Sequence, residues 1–315
     1  MGLLARPDLG VCILLLASCA PAQTEPLTPQ HIEISFAGRL AGKPFACGSK
    51  YEGVGIKKTA VTPQDLRFFI SNVELLDANG TGVPMTLDQD GLWQYKNVAL
   101  VDLEDGTGAC RNGNAPMHPS ISGSVTAGQY VGIRFVVGVP FELDHIDPIT
   151  APSPLNMTAM EWNWQVGYKF IRAEVVVPLT PDDTAKQEAA VPPQSSGTSN
   201  VKDPKAAMRS SGFPIHIGST GCGNGSDTAA PEHECKHPNR IVVTLQKFDL
   251  EKDLVIFDLG KLLSESDLAA NAMNTPPGCM SLEGDADCLS IMKALGLPYE
   301  DSPAGEESVF HAEAK

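Results

Sequence analysis

The sequence predicts a mainly β protein: one antiparallel, sandwich-like domain with short C-terminal helices and a disordered insertion. Three observations carry this. Short runs of alternating apolar residues recur between Gly, Pro and Asn turn signals, which is the period of half-buried strands. Helical patterning is confined to the region after residue 260. One long polar segment interrupts the strands without changing their character on either side.

The chain opens with Arg6 and an apolar stretch, Val11 to Ala17, too short to span a bilayer, so residues 1–18 read as a signal peptide. The stretch ends in Leu16-Ala17-Ser18-Cys19, small residues before a cysteine, which suits a lipoprotein signal peptidase. The mature chain would then begin at a lipidated Cys19; ordinary secretion is the alternative. Residues 19–30 hold three prolines and read as a tether from the membrane, with order expected from His31.

Strands are expected at His31–Phe36, Phe68–Leu76, Leu92–Asp102, Tyr130–Val139, Glu161–Val177, Phe213–Ile217, Ile241–Phe248 and Leu254–Leu259. Helices are expected at Lys261–Met273 and Leu289–Leu295, the second stopped by Gly296. Residues 180–212 are rich in Pro, Ser, Ala, Lys and Asp and carry too little apolar surface to offset the entropy of ordering. Strands of like character flank this segment, which favours an insertion looped out of one domain over a linker between two. The domain is expected to run over 31–297, with 298–315 a loose polar tail.

Removing the signal peptide takes Arg6 and Asp8 together, so the net charge of −15 is unchanged. An acidic chain of this kind repels phosphate and is not expected to bind nucleic acid. Of eight cysteines, Cys12 lies in the signal peptide and Cys19 is the lipid anchor, leaving Cys47, Cys110, Cys222, Cys235, Cys279 and Cys288. An even number in an exported chain implies disulfides. Local spacing favours Cys222 with Cys235 and Cys279 with Cys288, which leaves Cys47 with Cys110.

The most unusual stretch runs from Met157 to Phe170. As one strand it would put Met160, Trp162, Trp164, Val166 and Tyr168 on one face, with the two indoles about 7 Å apart. Aromatic core filler is the plain reading of such a face. Imidazole suits copper and zinc and thioether suits Cu(I), so histidines converging on Met160 and the tryptophans would make a metal site. His216 alternates with the apolar Phe213, Ile215 and Ile217 and so faces away from them. His233 and His237 flank Cys235 in a pattern unlike a zinc finger, and a disulfide is the simpler use of that cysteine. Asp102, Glu104 and Asp105, and Asp144 with Asp147, read as solvated turns rather than as paired acids or a calcium loop. Nucleophile-elbow, phosphate-loop and HExxH motifs are absent from the sequence.

Four stretches together resemble the MbnP-like proteins, also called metallo-mystery-pair four-Cys proteins. They are Pro63-x-Asp65-Leu66-Arg67-Phe68-Phe69-Ile70; Val137-Gly138-Val139-Pro140-Phe141; Met160-x-Trp162-x-Trp164-Gln165-x-Gly167-Tyr168-Lys169-Phe170; and His216-x-Gly218-Ser219-Thr220-Gly221-Cys222. The resemblance implies a periplasmic or surface protein, anchored to the outer membrane, that binds copper as Cu(I) or Cu(II) and has no turnover of its own. It implies a partner, a di-haem cytochrome c peroxidase-like protein, that oxidises a tryptophan to kynurenine. Trp162 and Trp164 match the motif tryptophans, His216 matches the motif histidine, and His31 and His145 are the weaker candidates for further ligands. Two other functions compete: a structural or adhesive β-sandwich lipoprotein without a metal site, and a copper enzyme.

Overall fold

The computed structural model describes residues 1–2, 28–111, 113–163, 165–178, 210–223 and 229–315, without the side chains of Ser210 and Ser211. In chain order the strands are β1 (Pro29–Leu40), β2 (Lys43–Pro44), β3 (Tyr51–Val54), β4 (Thr59–Leu76), β5 (Gly82–Pro84), β6 (Thr86–Leu87), β7 (Gln94–Tyr95), β8 (Val98–Asp102) and β9 (Ser120–Thr126). They continue as β10 (Gly132–Val137), β11 (Glu161–Asn163), β12 (Gly167–Tyr168), β13 (Ile171–Pro178), β14 (Ser210–Ile217), β15 (Ile241–Leu245), β16 (Asp253–Asp258) and β17 (Phe310–Ala314). Three short helices, α1 (Phe141–Asp144), α2 (Leu259–Leu262) and α3 (Cys288–Ala294), complete the described elements together with two 3-10 turns.

Two sheets face each other. One has the order β17-β16-β1-β9-β6 and the other β14-β13-β4-β10-β15, while β11 and β12 form a separate hairpin. Among the described strands the pairings are antiparallel except β1 with β16, which run parallel from Phe36↔Val255 to Arg39↔Asp258. Between the sheets Phe36, Phe68, Phe135, Phe257 and Phe310 form one aromatic cluster with ring centroids 5.0–5.9 Å apart. Alternation along β4 sends Phe68 into this core and Phe69 to the outer face, where a second cluster gathers Val98, Leu100, Leu155, Met160, Tyr168 and Phe170.

Strand β4 changes partner at Phe69. It pairs with β13 over Thr62–Phe68 and with β10 over Ile70–Leu76. Phe69 donates its N–H to Phe170 O (2.9 Å) and accepts from Gly138 N–H (2.9 Å), and Phe170 N–H passes on to Ile217 O (2.5 Å) at the end of β14.

The strands flanking the polar insertion pair with each other, from Ile171↔Ile217 to Pro178↔Ser210, so the insertion leaves and re-enters one sheet of a single domain. Residues 180–209 themselves, like Cys19 and the tether up to residue 27, lie outside the described residues. All three expected disulfides are formed: Cys47–Cys110, Cys222–Cys235 and Cys279–Cys288.

Several expectations are corrected. The domain does not end at residue 297, and the tail is not loose: β17 adds antiparallel to β16 and places Phe310 in the aromatic cluster. Leu92–Asp102 is a hairpin, β7 and β8, turning at Lys96 with φ of 53°. The helix expected at Lys261–Met273 stops at Leu262, and beyond it the Asp267 side chain caps Ala269 N–H (3.1 Å), a local bond that competes with helix. Strand β9 is an addition to the expected strands: Ser120-Ile121-Ser122-Gly123-Ser124 has few large apolar residues and so carries no strand signal, yet it pairs with β1 over Pro29–Ser35.

The buried tail gives a direct test. Phe310→Ala should cost about 3–5 kcal/mol, the usual range for emptying a core phenylalanine site, measured by urea unfolding. A loss below about 0.5 kcal/mol, the range of an exposed position, would contradict the placement of β17.

Candidate metal centre

The outer faces of β4, β13 and β14 carry polar side chains in register. Arg67, Arg172 and His216 are cross-strand partners, and beside them run Asp65, Glu174 and Pro214. Arg67 is only 1% exposed; it donates to Asp65 Oδ1 through Nε (2.8 Å) and to Asn114 Oδ1 (3.0 Å). Arg172 Nε lies 3.1 Å from Asp65 Oδ2 and 2.8 Å from Glu174 Oε1. The row ends where His216 Nε2 meets the same Glu174 oxygen at 2.8 Å.

This arrangement fixes the state of the imidazole. Burial alone would raise the Glu174 carboxyl, but the bonds from His216 and Arg172 outweigh it and hold its pKa at about 2. An ionised carboxylate only accepts, so Nε2 carries the ring proton and the lone pair lies on Nδ1. Burial lowers the His216 pKa, and Glu174 offsets this only in part, so at neutral pH the ring is uncharged. A carboxylate bonded to one ring nitrogen is the usual way in which a metal-binding histidine is oriented.

The hairpin β11–β12 lies over this end of the sheet. Lys169 Nζ donates to Ala159 O (3.1 Å) and Glu161 O (2.7 Å), and Arg172 also donates to Ala159 O (3.0 Å), so two cations pin the start of β11. Burial, reinforced by the nearby Arg172 charge, lowers the Lys169 pKa to about 8. Trp162 is half-buried, with Lys169 Nζ 5.6 Å from its ring centroid and the His216 ring centroid 6.5 Å away. A Cβ on Gly218 would sit 2.6 Å from the Trp162 ring and 2.5 Å from Tyr168 O, so only glycine admits the indole here. An open cavity of about 550 Å³ adjoins the indole, lined mostly by apolar side chains including Val166, Pro276, Met280 and Leu282.

The expected single strand Glu161–Val177, with its shared face, is not formed. Asn163 Oδ1 accepts from Val166 N–H (2.9 Å) and the chain reverses, so Tyr168 pairs back with Glu161. Met160 is wholly buried in the second cluster and is not offered to the site. Trp164 lies outside the described residues.

His31 stands on β1 of the other sheet, exposed and bonded to Asp88 Oδ2 (2.8 Å), so it is not brought to His216. His145 is buried beside the Cys222–Cys235 disulfide, its Nε2 3.6 Å from Cys235 Sγ and 3.6 Å from Asp144 Oδ2. A disulfide has no thiolate to offer, so neither that group nor the Cys47–Glu104–Cys110 group is a metal cage. His237 bonds Glu283 (2.8 Å) at the surface.

The acidic pairs read as solvated turns are instead partly buried. Asp102, Glu104 and Asp144 are 0% exposed, and burial raises Asp102 and Asp144 to about 7. Asp144 accepts from Tyr168 N–H (2.9 Å) and Ser219 Oγ (2.9 Å), which ties α1 to β12 and to the chain just past β14.

Residues 29–281 match the model of the MbnP family. The chain belongs to the MbnP family. Its fold superposes on MbnP from Methylosinus trichosporium with a TM-score of 0.73 and 30% identity, over 91% of this chain and 99% of that one. No curated protein matches the chain. The four stretches on which the MbnP resemblance rests meet at the centre just described: Phe69, Gly138, Phe170 and Ile217 share the main-chain bonds, and Arg67, Trp162 and His216 stand on or over the same face.

The Glu174 carboxylate makes a prediction with a definite sign. Its folded pKa of about 2 lies below its ordinary 4.5, so the stability it contributes is present above pH 4.5 and is lost as pH falls towards 2. Urea unfolding of the wild type and Glu174→Gln should therefore differ most near pH 5 and converge near pH 2. A gap that stays constant across that window would mean that His216 and Arg172 do not hold this carboxylate ionised.

Proposed function

We propose that this chain is an exported lipoprotein, anchored to the outer membrane through Cys19 and facing the periplasm or the cell surface, that binds copper without turnover of its own. The single observation that carries the reading is the contact of Trp162 with His216 beside an apolar cavity, in a chain of the MbnP family. His216 would hold the metal through Nδ1, with Glu174 fixing the ring from the other side. Copper supplies a soft, redox-active cation that imidazole nitrogen suits.

An intact indole is a poor donor. Opened to kynurenine it presents an aromatic amine and a ketone at the same place. A di-haem cytochrome c peroxidase-like partner would oxidise Trp162 with two equivalents of peroxide to the N-formyl form, releasing two waters, and hydrolysis would then release the ring carbon as formate. Trp162, which abuts His216, is the candidate taken forward. The half-buried indole beside an open cavity is reachable from outside, as such a modification needs.

The test is copper titration of the folded protein before and after exposure to peroxide with the di-haem partner. Tight binding should appear only after treatment, and peptide mass spectrometry should place on Trp162 a gain of one oxygen with the loss of one carbon. His216→Ala should lose copper while keeping the fold, which circular dichroism checks, since Arg172 still pairs Glu174. Full affinity with both tryptophans intact would refute the oxidation, and undiminished binding in His216→Ala would remove that residue from the site.

A further inference from the structure

We propose that Met280 supplies a thioether sulfur to Cu(I) held at His216, an inference that rests on the copper reading above. Ile215 and Cys279 form a parallel bridge: Cys279 N–H donates to Pro214 O (2.9 Å) and His216 N–H to Cys279 O (2.9 Å). Ile215 and Cys279 are wholly buried in the main core. The next residues in that register are His216 and Met280, on chain segments roughly 4.8 Å apart whose buried Ile215 and Cys279 take the core side.

The segment that carries Met280 is held on both sides. Before it, Cys279 is bonded to Cys288, and Gly278 packs so closely that a Cβ would lie 2.1 Å from Pro214 O. After it, Ser281 Oγ donates to His216 O (3.1 Å) and accepts from Gly218 N–H (3.3 Å), so one hydroxyl replaces the next rung of the ladder. Met280 is half-buried and lines the same apolar cavity as Trp162. Two other methionines near the hairpin are committed elsewhere: Met160 is in the second cluster and Met157 Sδ contacts Arg67 (3.6 Å).

An imidazole nitrogen, a thioether and a mostly apolar wall make a set that favours Cu(I) over Cu(II) or zinc. The six core cysteines are paired, so the sulfur available there is that of methionine.

The experiment uses full-length protein whose tryptophan has been oxidised, with Cu(I) as the probe. Met280→Leu keeps side-chain volume and should leave the fold intact, which circular dichroism checks. Competition titration should show Cu(I) affinity reduced by about tenfold or more in Met280→Leu, with a smaller change for Cu(II). Copper-edge X-ray absorption of the Cu(I) form should show one sulfur scatterer in the wild type and none in Met280→Leu. Equal affinity together with no sulfur in the wild type would overturn Met280 as a ligand while leaving the copper reading standing. A wild type that takes up no Cu(I) would overturn both.

Discussion

The fold turns on a main-chain handover at Phe69. A strand as long as β4 would ordinarily keep one neighbour along each edge; here it passes from β13 to β10 within one residue, and the peptide groups left over are bonded through Phe170 and Gly138. Buried peptide groups without partners are costly, so this crossing admits few alternatives. Its geometry also sets the site. Phe170 bonds Ile217, which fixes the end of β14, and the chain just before Phe170 is the hairpin that lays Trp162 against His216.

Above that backbone, the polar row from Arg67 to His216 is an expensive feature. Burying two arginines and two carboxylates, wholly or in part, is favourable only when every charge is paired and hydrogen-bonded, and the contacts among Arg67, Arg172, Asp65, Glu174 and Asn114 meet that condition. Such a row adds little net stability, but it leaves the terminal imidazole one orientation and one tautomer. The neighbouring cations serve a related purpose by fixing the Ala159 and Glu161 carbonyls, and with them the entry to β11. Asp144 ties the far side of the hairpin to Ser219.

Much of this was legible in the sequence. Alternation identified β14 and the outward direction of His216, because Phe213, Ile215 and Ile217 must enter the core. Spacing favoured the two disulfides whose cysteines are 13 and 9 apart in sequence, and left Cys47 with Cys110 by elimination. Alternation misled at Trp162, because it cannot see a reversal made by one side-chain bond from Asn163. The tail was missed since a single phenylalanine, Phe310, carries its burial among alanines and polar residues. Met280 had no local signal at all: His216 is distant in sequence, and only the bridge Ile215↔Cys279 brings the two segments together.

The position of the metal decides the whole reading most directly. Crystals of the copper-loaded protein, after tryptophan oxidation, should give an anomalous peak at the copper edge between His216 and Trp162, on the outer face of the sheet that holds β14. Peaks only at exposed pairs such as His31 with Asp88 or His237 with Glu283 would contradict it, since those groups meet copper wherever it is in excess.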